Sequence, residues 1–132
     1  TTVEILLKSL PKFEHKTGIK FKYNNYIVSM LLESIVSATS EYKRIYGLSA
    51  MYPDVAFSVL SQAFSMALVD NRNEVTIIDV YNAIKNSKRI YPDSIVKELS
   101  AFREKFAKTC VEQGIELPIV TIDDLDVNDQ IS

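Results

Sequence analysis

Apolar side chains recur at helical spacing along most of this chain, and few glycines interrupt them. Val3, Leu6, Leu7 and Leu10 form one stripe, and Ile27, Met30, Leu31, Ile35, Ala38, Tyr42 and Ile45 a second. Val55, Ala56, Val59, Leu60, Ala63, Phe64, Ala67 and Leu68 form a third, wide enough for burial on more than one side. Ile78, Val80, Tyr81 and Ile84 follow, then Ile95, Leu99, Phe102, Phe106 and Cys110. With 3 glycines in 132 residues there is little material for hairpins or phosphate-cradling loops. The pattern predicts a mainly α fold, a small helical bundle with at most two very short strands. The strand candidates are Ile19–Phe21, after the turn residue Gly18, and Val75.

Punctuation between the stripes sets the expected boundaries. Pro11 lacks the N–H that a helix interior needs, so it is expected to end or kink the first helix. The stretch Phe13–Gly18 then reads as a turn and hinge. Asn24 or Asn25 is a suitable N-cap for the second helix, and Gly47 a C-cap position. Tyr52-Pro53-Asp54 opens the third: proline suits a first turn, and an acid there complements the helix dipole. Asp70-Asn71-Arg72-Asn73 breaks the pattern, and Thr76 with Asp79 resembles a capping box. Pro92 with Asp93 or Ser94 starts a last helix, expected to run through Cys110 to Gly114.

Composition narrows the function classes. The chain is 47% hydrophobic and 24% charged, the balance of one soluble globular domain. Its net charge of -2 gives no ground for nucleic acid or an anionic membrane as partner. No apolar run approaches the roughly 18 residues of a membrane span. A single cysteine, Cys110, cannot form an internal disulfide, which fits a reducing, cytoplasmic setting. The start lacks both methionine and the pattern of a signal peptide, so the chain reads as a piece of a longer one. From Glu116 onward there are five acids and no Lys or Arg, so residues 115–132 read as an acidic tail, a segment that docks elsewhere, or a linker to a further domain.

No constellation for chemistry is present. There is no G-x-x-x-x-G-K-[ST] phosphate loop, no Cys pair for zinc, and one histidine, His15, in a polar turn where a surface position is expected. His15 and Cys110 lie on different elements, and Cys110 falls in phase with Phe102 and Phe106, as a buried inert thiol does. Lys85, Lys88 and Arg89 gather at a helix C-terminus, where the dipole favours cations. The chain is not expected to be an enzyme on its own.

Four runs resemble the Clp family of AAA+ unfoldases. Thr2-Val3-Glu4-Ile5-Leu6, Pro11-Lys12-Phe13-Glu14 and Gly18-Ile19-Lys20-Phe21 together resemble the helix that joins the family's large ATPase subdomain to its small helical lid. Tyr52-Pro53-Asp54-Val55-Ala56-Phe57 resembles L-P-D-K-A-I at the start of a lid helix. Val75-Thr76-Ile77-Ile78-Asp79-Val80 resembles V-t-x-x-D-I/V, and Arg89-Ile90-Tyr91-Pro92 the segment that leaves the lid. The link from Ala67 to Val75 is too short for the coiled-coil insertion of disaggregases, so the resemblance is to the first module of a ClpA-like, divergent member. Departures are Val55 in place of the family's lysine, Ser58, Ser61 and Gln62 in place of acids, and a longer stretch between Asn24 and Pro53.

The resemblance implies a division of the chain: residues 1–18 a connecting helix and hinge from an ATPase subdomain, 19–114 the helical lid, 115–132 the tail or linker. It implies ATP or ADP in the full-length protein and none in the isolated chain. Ile27 and Leu31 would lie toward the adenine, with Pro53, Asp54 and Phe57 near the ribose. It also implies a homohexameric ring whose neighbouring subunits are partners, and protein substrates or a protease or secretion partner for the parent protein. The rival expectation is an all-helical adaptor without nucleotide, its partner groove lined by Tyr42, Tyr46, Tyr52, Tyr81 and Tyr91.

Overall fold

The computed structural model describes residues 2–46, 52–88 and 90–125, with side chains at 3–39, 55–88 and 90–125. The elements run α1 (Thr2–Thr17), β1 (Lys20–Phe21), α2 (Asn25–Tyr46), α3 (Tyr52–Val69), β2 (Glu74–Val75), α4 (Ile77–Lys85), α5 (Pro92–Lys105) and α6 (Ala107–Gln113). A further helical turn lies at 122–125. The fold is a small helical bundle with two short strands, as the apolar spacing predicts.

The two strands are each other's partners. β1 and β2 pair in parallel, Lys20 opposite Glu74 and Phe21 opposite Val75. Their ladder is extended by the Lys20 and Lys22 amides donating to the Asn73 and Val75 carbonyls, each at 3.1 Å. A parallel pair requires a crossover, and here α2 and α3 supply it. The pairing ties the end of α1 to the start of α4 across more than fifty residues of sequence.

α3 lies at the centre, against α1, α2, α4 and β2. That placement explains its broad apolar face: Val55, Ala56, Val59, Leu60, Ala63, Phe64 and Ala67 are all buried. Only Leu68, at the last turn, departs from the expected stripe, at 53% exposed. Phe64 joins three elements. The Phe13 ring stacks on it at 5.3 Å, and Phe21 meets it edge-on at 5.5 Å.

Two boundaries differ from expectation. α1 continues through Pro11 to Thr17, so the stretch read as a turn is helical until Gly18, whose φ of 73° provides the actual exit. Proline there removes one backbone bond, that of its own missing N–H. Its ring is exposed, while Leu6 on the opposite side is fully buried and holds the helix down. The last helix is two, α5 and α6, separated at Phe106 (φ -105°, ψ 11°). Turning there buries the Phe106 ring completely, 4.6 Å from Phe102. Gly114 ends α6 in the left-handed region, φ 66°, as the sequence indicates.

For the acidic segment, the described part follows the docking alternative. Within 115–125, Leu117, Val120 and Leu125 are buried against the bundle. The Tyr81 hydroxyl donates to the Pro118 carbonyl, and Arg103 Nε to the Leu117 carbonyl at 3.3 Å. Its alternation of apolar and acidic residues is that of a strap with one face down and the acids in solvent.

Candidate functional site

The residue that the sequence marks most sharply, Phe57, lies one turn into α3 and is half-buried. It lines a groove of about 310 Å³ with Ser9, Lys12, Phe13 and Lys16 of α1. Those four α1 residues follow the i, i+3, i+4, i+7 pattern, so a continuous helix is what places them on one face. A break at Pro11 would have separated Ser9 from the rest. Phe13 and Phe57 give the groove two aromatic rings, and Lys12 and Lys16 give it two ammonium groups. Among the described residues no carboxylate lines it. Ser9 donates its hydroxyl to the Ile5 carbonyl at 2.9 Å, which leaves the oxygen as an acceptor.

The other candidate residues are spread over two helices. Pro53 and Asp54 lie in the first turn of α3, and their side chains fall outside the described residues. Ile27 sits in the first turn of α2, where its amide donates to Asn24 Oδ1 at 3.0 Å. It is half-buried against the core. Leu31, one turn on, is fully buried. Neither lines the Phe57 groove. Leu31 can shape a binding surface only by fixing α2, because no part of it reaches solvent.

A second hollow, of about 350 Å³, lies between α3 and the end of α4. It is lined by Ser58, Val59, Gln62, Ala83, Asn86, Ser87 and Lys88. Ser58 and Gln62, two of the departures from the Clp pattern, therefore face this hollow. Lys85 is in the last turn of α4, where the dipole favours it, while Arg89 lies outside the described residues.

The best-connected polar cluster was legible from the sequence only in its capping box and not in its link to Arg72. Arg72 makes a bidentate pair with Asp79, both bonds 2.7 Å, and also meets Asp70 at 3.1 Å. The Asp79 carboxylate accepts from the Thr76 amide at 2.8 Å and the Thr76 hydroxyl at 3.1 Å, which realises the expected capping box. The Asp79 side chain is 5% exposed, and the hydrogen bonds that Arg72 donates to it hold the guanidinium above its ordinary pKa. Tyr23 completes the junction by accepting from the Ile77 amide at 3.0 Å, and burial raises its own pKa. The cluster fixes the turn between α3 and α4. The prior signals were the Thr76–Asp79 capping box and an arginine inside a run of turn residues, with nothing in the sequence to join them.

Reactive side chains are quiet. Cys110 is buried, and burial pushes its thiol above the ordinary value, the opposite of an activated nucleophile. His15 is exposed. Among the described residues no group of three or more His, Cys, Asp or Glu is placed to hold a metal ion, and no helix is long and apolar enough to cross a membrane. Of the tyrosines expected to line a partner groove, Tyr81 is fully buried and is core instead. Tyr91 is 45% exposed, and the side chains of Tyr42, Tyr46 and Tyr52 lie outside the described residues. No protein-family model, curated protein or solved structure matches this chain.

Proposed function

We propose that this chain is the helical lid of a Clp-like AAA+ ATPase, covering bound ATP and passing nucleotide state to a ring of like subunits that unfolds or remodels proteins. The observation that carries the reading is the fit between the motif runs and the elements. The first run spans α1 and β1, the second opens α3, the third spans β2 and the start of α4, and the fourth leads into α5. The two strands named by separate runs are partners in one ladder.

The physical roles follow from the bundle. A lid must rotate as one body, so its turns have to be stiff. The Arg72–Asp79–Thr76 cluster and the β1–β2 ladder stiffen two of them. The start of α3 presents free amides and partial positive charge, suited to polar or anionic groups of a nucleotide. Phe57 and Ile27 are half-buried and can offer apolar surface to a ring, while Leu31 supports α2 from inside. The chain supplies no phosphate loop, so the chemistry belongs to another part of the protein.

The test is the encoding gene together with the whole protein. A G-x-x-x-x-G-K-[ST] motif is expected roughly 150 to 250 residues upstream in the same reading frame. In that protein Phe57→Ala should weaken ATP binding about tenfold with the lid still folded. A complete reading frame without such a motif would overturn the lid reading.

A further inference from the structure

We infer that the strap 115–125 is an exchangeable arm: pivoting at Gly114, it leaves its own bundle and seats on the same α4–α5 face of a second copy, which returns its own arm to make a reciprocal dimer. The inference does not rest on the lid reading. It rests on how the strap is held and on what joins it to α6.

Side chains hold the strap. Leu117, Val120 and Leu125 are buried, while Glu116, Ile119 and Asp123 between them are exposed. Tyr81 of α4 donates its hydroxyl to the Pro118 carbonyl, and Arg103 of α5 donates its Nε–H to the Leu117 carbonyl at 3.3 Å. Hydrogen bonds from the Thr121 amide and hydroxyl, and to a smaller extent the charge of Lys85, hold the exposed Asp124 below its ordinary pKa, so the far end of the strap runs toward the last turn of α4. Among the described residues no backbone-to-backbone bond joins 116–125 to the bundle. The segment also carries its own cap, Thr121 with Asp124, for the helical turn at 122–125. Its shape is therefore its own, and a strap supplied by a second copy can make the same two bonds and fill the same apolar seats.

The joint is a single residue. Gly114 ends α6 at φ 66°, and beyond it the Ile115 amide turns back onto the Cys110 carbonyl at 2.9 Å. That left-handed turn sends the strap over its own bundle, whereas an extended residue at 114 sends it away. A Cβ placed on Gly114 meets nothing within 4 Å, so a side chain there acts on the backbone conformation alone, without a clash. Exchange of an identical arm keeps the contacts of the closed form and changes only the joint, which makes it a low-cost route to a dimer. The arm of the same chain competes at an effective concentration in the millimolar range, as short links do. The unaltered chain should therefore be monomeric when dilute and exchange arms as its own concentration approaches that range.

The experiment follows the monomer–dimer equilibrium of the whole chain by sedimentation, for the unaltered protein and for Gly114→Val. Valine resists positive φ and favours an extended link, so the variant should reach half dimer at a concentration at least tenfold lower. Exchange itself is read by mixing isotopically labelled and unlabelled chains in equal amounts and recording isotope-filtered NOEs. The Tyr81 ring of a labelled chain should contact Pro118 of an unlabelled one. A Gly114→Val chain that stays monomeric up to millimolar concentration would overturn the inference, as would a dimer in which Tyr81 touches only the Pro118 of its own chain. The same NOE measurement on the unaltered chain at millimolar concentration needs no variant. The contact between chains is expected there too, and its absence would overturn the exchange even if Gly114→Val does not fold.

Discussion

Arg72 shows how one side chain sets a turn. Its guanidinium spans Asp70, Asp79 and the Glu74 carbonyl, so it links the end of α3, β2 and the cap of α4. Arg72→Ala would leave the nearly buried Asp79 with only its Thr76 bonds. The expected loss is about 2–3 kcal/mol, read from denaturant unfolding. Phenylalanine positions separate in the same assay. Phe64→Ala, at the meeting of α1, β1 and α3, should cost about 3–5 kcal/mol, whereas half-buried Phe57→Ala should cost about 1–2 kcal/mol. A Phe57 loss as large as that of Phe64 would make it core and remove it from any site. Alkali provides a third check. Burial raises Cys110 above 9.0 and Tyr23 and Tyr81 above 10.0 in the folded chain. In the interval above each ordinary value the unfolded chain has released a proton that the folded chain keeps. The contribution of these three groups is therefore constant below about pH 9 and falls as pH rises further, most steeply above pH 10. Tyr81→Phe should flatten part of that alkaline fall.

At the level of elements, α1 is the instructive case. A proline in the middle of a helix costs a backbone bond, yet Leu6, Leu10 and Phe13 pack on the bundle from both sides of it. Packing on the far face outweighs the local defect. Pro11→Ala should therefore stabilise the protein, by about 1–3 kcal/mol, visible as a raised melting temperature. The stretch after it is helical, with the Gly18 amide on the Glu14 carbonyl at 2.8 Å and the Thr17 hydroxyl on the Phe13 carbonyl at 2.6 Å. Amides of residues 14–17 should then exchange well below the rate of an open loop. Exchange at loop rates would restore the hinge that the sequence suggests. The α5–α6 break teaches the same lesson in reverse. Periodicity carries Phe102, Phe106 and Cys110 through on one face, and the turn at Phe106 interrupts the helix without losing that face.

For the whole molecule, the strap 115–125 closes the bundle over Tyr81, whose ring lies 5.5 Å from Phe102. Truncation after Gly114 would expose the surfaces under Leu117, Val120 and Leu125. Set against the entropy of ordering the segment, the expected loss is about 2–5 kcal/mol, with the secondary structure of α1–α5 retained. Unchanged stability would mean that the strap merely rests on the surface. The intact chain should show no ATP turnover that survives repurification and responds to substitution in this sequence.

Periodicity alone determined the helical class, because a buried stripe at helical spacing has few other ways to leave water. Local chemistry determined the Asn24 and Thr76 caps and the Gly114 stop, since each depends on groups a few residues apart. Phe57 was a candidate only through the resemblance of the run that opens α3, and the structure leaves it half-buried. Its companions Lys12, Phe13 and Lys16 were not legible. They belong to α1, and only the packing of α1 on α3 brings them across some forty residues of chain to one groove. The pairing of β1 with β2, the Arg72–Asp79 bridge, the burial of Tyr81 and the docking of the acidic strap were likewise decided by tertiary structure. Each depends on which apolar faces meet, a choice made by the sum of many contacts and written in no single segment.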